Sequence, residues 1–509
     1  MRSTNSIKNT IVSIITNIVT ILIGLVAQAI FVRTLGSEYL GINGLFSNII
    51  SMLAIVELGI GSAIIFSLYK PIAEDDREKI KSLMKFYKIS YRIIACLVTI
   101  IGLCVIPFLK YIVGATSIQE NIIFIYILFL LDTTVSYLLT YKRSILYADQ
   151  KTYITNIVHI GYLIIMNAIQ IAILLLSKNY IAYLIIKIIF RLLENIVITI
   201  ISNKMYPYIT EKDAKELDKD TKHSIFTKIR GLIYHKIGSF LVLGTDNIVI
   251  SIFFGVVTVG YYSNYSIIIT AVSTLFGQIF SSLIASVGNL LVEENKEKSY
   301  SIFKNMLLVN SWLYCFATCG IICMIEPFIK IWVGGQYILE YNVLIVLMAN
   351  FYIQGMRQTY NTFKMAAGIF YEDRFVPLFE STLNIVFSII LLKIFGLAGV
   401  FLGTIVSSFA LFMYSYPKYI YKGIFKRSYL EYAFENINYI IITAVTVIIT
   451  TLITKQIIIP NNILQIIVNG VFVIIIPNAI YYIIFRKTDE FKYLKSLIMN
   501  YKNRRNINV

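Results

Sequence analysis

The chain has 509 residues, of which 58% are hydrophobic and only 14% charged, and it carries a net charge of +17. A soluble domain has roughly 25% charged residues, so this composition excludes an ordinary soluble protein. Nucleic-acid binding is excluded by position, since the basic residues lie in the gaps between apolar blocks, as cytoplasmic loops do. The five cysteines, Cys96, Cys104, Cys315, Cys319 and Cys323, all fall within apolar blocks, and none forms a C-x-x-C pair. Cys315, Cys319 and Cys323 form a stripe on one helix face, which helix contacts explain better than a metal or a disulfide.

A bilayer core of about 30 Å needs about 20 apolar helical residues to cross it. Fourteen such blocks are expected, at 11–32, 42–68, 93–113, 121–141, 154–177, 180–203, 231–254, 260–290, 306–329, 343–364, 376–395, 398–417, 437–454 and 463–485. The first block imitates a signal peptide at Ala27-Gln28-Ala29, but it is long enough to span and has a counterpart later in the chain. With the N-terminus inside, 35 of the 45 Lys and Arg fall on the same side as the N-terminus, and six fall on the other. This asymmetry predicts that both termini are cytoplasmic. The remaining four, Lys187, Arg191, Lys236 and Arg357, lie within spans.

The chain repeats itself. AEDDREK (73–79) matches VEENKEK (292–298) at an offset of 219, which also places Gly41 on Gly260 and the first span on the seventh. At an offset of 220, IPFLKYIVG (106–114) matches EPFIKIWVG (326–334). Six spans separate the copies, so both halves have the same orientation. The expected fold is an all-α polytopic membrane protein, with two parallel six-helix lobes around a central cavity and two appended C-terminal helices. Parallel repeats of this kind are a transporter architecture with its substrate site between the halves. The predicted domains are an N-terminal lobe (1–203), a cytoplasmic linker (204–230), a C-terminal lobe (231–417) and a segment with helices 13 and 14 and a basic tail (418–509).

Charges inside spans are costly and mark either a pathway or a buried pair. Lys187, Arg191, Glu194 and Asn195 share one face of the sixth span. Asn350, Gln354, Arg357, Gln358 and Asn361 do so in the tenth. Lys228, His235, Ser239 and Asp246 form a stripe in the seventh, with Lys236 beside it. Glu57 precedes Gly59 and Gly61 in the second, while Asp132 and His159 stand more isolated and read as helix-to-helix hydrogen bonding. A cavity lined by Arg and Lys suits an anionic group, above all a phosphate, which Arg grips with a bidentate fork.

FVRTLGSEYLGINGLFSNIISMLAIVELGIGSAI (31–64), LYKPIAEDD (68–76), HKIGSFLVLGTDNIVIS (235–251), VGYYSNY (259–265) and NIVFSIILLKIFGLAGVFLGTIVSS (384–408) together resemble the Wzx-type polysaccharide repeat-unit flippases. These belong to the multidrug/oligosaccharidyl-lipid/polysaccharide exporter superfamily. The resemblance extends from the N-terminus to about position 420. It implies a non-enzymatic carrier in the bacterial cytoplasmic membrane that moves undecaprenyl-diphosphate-linked oligosaccharide to the outer leaflet for O-antigen, capsule or similar polymers. It also implies polysaccharide polymerase and chain-length proteins as partners. In that role Arg191, Arg357, Lys187, Lys236, Gln354 and Asn361 would bind substrate, and Asp246, Glu57 and Glu194 would couple or switch. Asp246 would pair with Arg191 or Arg357 in one state and release it when the diphosphate arrives; a static ion pair is the alternative. No cofactor is expected, and coupling to H+ or Na+ stays open. A multidrug cation antiporter predicts a cavity dominated by acids and aromatics instead. A polymerase or ligase would need a larger outer loop than the longest here, at about 330–342.

Overall fold

A computed structural model describes residues 2–507 other than 58, 212, 370 and 371, without the side chains of 2–7, 10, 62, 224, 228, 230–236, 238–243, 498 and 500–507. Among the described residues the regular elements are all helical. Eleven helices among the described residues are long and apolar enough to cross a membrane. Three of the fourteen expected spans are not among them: 180–203, 231–254 and 343–364. The helices Tyr180–Met205 and Tyr341–Ala366 have the length but carry the polar stripes, and in the region 231–254 only Gly244–Phe254 is described as an apolar segment. The residues that dilute the membrane signal are thus the ones with chemistry to offer.

Large apolar side chains face outward along the helices, with Leu176 87% and Ile394 67% exposed, while Asn310, Asn384 and Thr446 are fully buried. This is the inverse of a water-soluble protein and fits a lipid solvent, in which every polar group must find its partner inside.

The chain forms two compact units, Met1–Asn264 and Tyr265–Val509. In the first run α1 (Arg2–Leu35), α2 (Ser37–Leu53), α3 (Ile60–Ala73), α4 (Arg77–Val105), α5 (Ile122–Thr140), the short α6 (Arg143–Ala148), α7 (Thr152–Ser177), α8 (Tyr180–Met205), α9 (Lys219–Phe254) and the start of α10 (Val256–Ser282). α1 packs on α7, α5 lies between α4 and α8, and α9 lies on α2 and α3. The expected second span is broken: Ala54–Glu57 tightens into a 3-10 turn, and Gly59 takes a left-handed φ of 80° before α3. The second unit continues with α11 (Ile284–Glu293), α12 (Lys296–Trp332), α13 (Tyr341–Ala366), α14 (Val376–Phe395), α15 (Leu397–Ala410), α16 (Tyr429–Gln456), α17 (Asn462–Phe485) and α18 (Asp489–Ile507). α15 runs on into a π-helix at Leu411–Phe425. Cys315, Cys319 and Cys323 are buried, and Thr454 of α16 donates to Cys323 Sγ at 3.4 Å while Asn469 of α17 donates to its carbonyl at 2.6 Å. The cysteine stripe is a helix contact.

The sequence repeat is a structural one. Asp76 and Asn295, one repeat apart, each cap a helix by accepting an N–H from further along the chain, Asp76 from Lys79 at 3.0 Å and Asn295 from Lys298 at 2.9 Å. Gly36 and Gly255 both take positive φ, 91° and 81°, ahead of α2 and α10. A Cβ on Gly41 would lie 1.8 Å from the Val256 carbonyl oxygen, and one on Gly260 would lie 2.1 Å from that of Ser37. Ser37 and Val256 are themselves related by the repeat, so the two copies exchange roles across this contact. Hydrogen bonds repeat the exchange: Gln28 donates to the Ser263 carbonyl at 3.4 Å, and Asn247 to the Gly44 carbonyl at 3.5 Å. Reciprocal contacts are what a local two-fold axis produces.

The segment between α8 and α9 is anchored by charge. Lys81 bonds Glu211 at 3.0 Å and Asp213 at 2.8 Å, and Lys79 bonds Asp218. The hydrogen bond from Lys81 holds the Asp213 carboxyl below its ordinary range.

The glycine contact is testable because its obstacle is backbone. Gly41→Ala should destabilise the protein by more than the roughly 1–3 kcal/mol usual for overpacking. Gly102→Ala, whose Cβ would meet only the Leu130 side chain, should cost less. Thermal unfolding of both variants in detergent checks the order.

Candidate functional site

The polar side chains of α8 fall into two groups with different surroundings. Glu194 and Asn195 are buried. The Glu194 carboxylate accepts from Arg143 of α6 at 2.8 Å and lies 3.2 Å from His159 Nδ1 of α7. Arg143 also donates to Asn195 Oδ1 at 2.9 Å. This cluster ties three helices together, with its carboxylate shut away from solvent.

One to two turns earlier, Lys187 and Arg191 both reach Asp132 of α5. Lys187 Nζ lies 3.3 Å from Oδ2 and Arg191 Nε 3.3 Å from Oδ1. The carboxylate is nearly buried, at 9% side-chain exposure, whereas the two bases keep 28% and 38%. Lys187 also lies over the Phe129 ring, 5.1 Å from its centre. Two cations share one anion, so the group carries a surplus positive charge on an accessible face. The guanidinium donates to Asp132 through Nε.

The tenth-span stripe, on α13, is arranged differently. Arg357 binds Glu380 of α14 in a fork, at 2.7 and 3.1 Å, and also donates to Gln354 Oε1 at 2.7 Å. Gln354 donates to Ser408 at 2.8 Å, and Asn361 accepts from Tyr416 at 3.2 Å. A turn further on, Lys364 pairs with Asp373, which accepts from Ser415 at 2.8 Å. An anion arriving at Arg357 has a carboxylate to displace.

Glu57 lies at the break after α2. Tyr91 donates to it at 2.7 Å, and Tyr87 donates to Tyr91 at 3.2 Å. These groups, with Gly61, Ser136 and Tyr137, line a cavity of about 290 Å³. A Cβ on Gly61 would stand 2.7 Å from both Glu57 Oε1 and the Tyr91 hydroxyl, so that glycine serves close packing, while Gly59 makes the turn. Asp246 of α9 is half-buried beside buried Thr245 and Asn247. The guanidinium groups named as its partners are engaged by Asp132 and Glu380. The Lys236 side chain lies outside the described residues.

Sequence reasoning leaves aside three partners: Asp132, which reads as isolated, Glu380, and Arg143, which reads as a loop residue. The rule that a charge in a span needs a countercharge is the signal for each.

The family described as "Polysaccharide biosynthesis protein" matches residues 6–284, more than half of the sequence. The chain belongs to that family. Its fold is similar to that of a lipid II flippase MurJ in an inward closed conformation, with a TM-score of 0.66 and 16% identity over 94% of this chain and 99% of that one. It is also similar to an inward-facing multidrug resistance MATE transporter of the MOP superfamily, with a TM-score of 0.60 and 15% identity over 77% and 92%. A bent form of the Vibrio cholerae MATE transporter VcmN gives a TM-score of 0.53 and 14% identity over 82% and 97%. No curated protein matches. The fold is that of flippases and transporters, and these neighbours are not enzymes.

The two α8 groups predict unequal costs of charge removal. Glu194→Gln leaves Arg143 without its carboxylate in a buried site and should destabilise by about 3–5 kcal/mol. Arg191→Gln leaves Asp132 with Lys187 on a partly exposed face and should cost within about 1 kcal/mol. Denaturation of the purified variants measures both.

Proposed function

We propose that the chain flips undecaprenyl-diphosphate-linked oligosaccharide repeat units across the bacterial cytoplasmic membrane, by alternating access, for cell-surface polysaccharide assembly. The observation that carries this reading is the surplus charge at Lys187, Arg191 and Asp132. An uncompensated cation at membrane depth is costly, and a diphosphate supplies the missing negative charge. At about 4 Å and an effective dielectric of about 20, such a contact is worth roughly 4 kcal/mol before desolvation is subtracted. The lipid tail stays in the bilayer, and the glycan travels with the phosphates it is bonded to. Arg357, held by Glu380, fits a second role in this scheme: a latch within the second unit that gives way only to a competing anion.

A cation antiporter is the alternative with an observation of its own, the Glu57 carboxylate in its tyrosine-lined cavity. The two readings differ in which charge the cargo must bring, and that decides the experiment.

In liposomes, protection of a labelled undecaprenyl-diphosphate oligosaccharide from an external glycosidase should report transport by the wild-type chain. Loss of one charge-assisted hydrogen bond is worth about 1.5–3 kcal/mol, so Arg191→Gln should slow transport on the order of tenfold to a hundredfold. Uptake of a cationic dye by the same liposomes, with no glycan movement, would replace the flippase by the antiporter.

A further inference from the structure

The π-helix that ends α15 carries Lys418 and Lys422, and the turn after it carries Lys426 and Arg427. Together with Tyr414 and Tyr429 these residues line a pocket of about 660 Å³. Among the described residues, no acidic one lines it. Arg427 is itself held by carboxylates, bonding Glu297 and lying 3.6 Å from Glu431. Arg427 is thereby neutralised. Lys418 donates to the Tyr414 hydroxyl at 2.6 Å, which leaves its charge in place. Among the described residues, no carboxylate pairs with Lys418, Lys422 or Lys426. The buried cations of this unit, Arg357 and Lys364, each have a carboxylate partner.

The pocket's wall is apolar and faces outward. Met413 is 64% and Tyr414 48% exposed, in a helix that belongs to a membrane-spanning segment. Such a surface meets lipid chains, and the lysines lie at the end of the span where headgroups begin. The turn itself is held at a cost. Lys426 takes φ 59°, a left-handed conformation that disfavours a residue with a Cβ by about 1–2 kcal/mol, and a glycine would avoid that cost.

We infer that this pocket binds the headgroup of an anionic phospholipid of the cytoplasmic leaflet. Its phosphate meets Lys418, Lys422 and Lys426, and its acyl chains lie along Met413 and Tyr414. A basic pocket beside a span on the cytoplasmic side is the arrangement that selects anionic lipid. The site would fasten the last turn of this span to the charged leaflet. The inference rests on the membrane orientation of the proposed carrier and is independent of its cargo.

Native mass spectrometry tests it. The full chain is purified from membranes doped with equal amounts of phosphatidylglycerol and phosphatidylcholine, and the retained lipid is identified. The wild type should retain phosphatidylglycerol in preference. Each lysine near an anionic headgroup is worth about fivefold in affinity, so K418Q/K422Q/K426Q should weaken retention on the order of a hundredfold. K418R/K422R/K426R should restore it, which separates charge from misfolding. Equal retention of the two lipids by the wild type, or undiminished retention by the glutamine variant, would overturn the inference. So would displacement of phosphatidylglycerol by substoichiometric undecaprenyl diphosphate, which would make the pocket an entry site for the cargo. Labelling of a Lys426→Cys thiol only from outside the vesicle would overturn the orientation on which it depends. A chain that retains the lipid but moves no glycan would contradict the flippase alone.

Discussion

Asp132 is one carboxylate answering two cations, and the rest of the polar interior is best understood from that imbalance. Hydrocarbon offers no water to screen a charge, so each ionised group in a span is paired or opens to an aqueous path. In α8 both solutions occur on one helix. Glu194 and Asn195 are sealed by Arg143 and His159, which fixes α8 against α6 and α7. Lys187 and Arg191 lean over Asp132 with their heads partly exposed.

On α13 the second unit pairs its buried cations one to one. Arg357 has a bidentate carboxylate, and Lys364 has Asp373 with Ser415 behind it. The duplication therefore kept its scaffold and let its chemistry diverge. Helix caps, turn glycines and the reciprocal contact of Gly41 and Gly260 persist from one copy to the other. At the offset of 220 that holds beyond position 106, Arg191 falls on Leu411 and Asp132 falls on Tyr352.

Much of this is legible in the sequence, for definite reasons. Apolar blocks of spanning length reveal themselves because the bilayer sets their length, and the repeat shows because a helix cap and a turn glycine constrain residue type. The polar stripes on α8 and α13 are visible as spacing alone. What spacing does not show is who answers whom. Asp132 stands far ahead of Lys187 and Arg191 in the sequence and on a different helix, and that separation hides its role. Arg143 reads as part of a loop, although it sits on a short helix and reaches back to Glu194. The break at Glu57–Gly59 is also hidden, because a left-handed glycine between two apolar stretches leaves no gap in hydropathy.

The most direct test of the surplus charge measures binding without transport. Equilibrium binding of a short-chain polyprenyl diphosphate, its monophosphate and the parent alcohol would be compared in the wild type and in Lys187→Gln/Arg191→Gln. Affinity should rise from alcohol to monophosphate to diphosphate, and the variant should lose about tenfold or more for the diphosphate while its weak affinity for the alcohol is unchanged. Equal affinity for all three in the wild type, or the same loss for the alcohol as for the diphosphate, would contradict it.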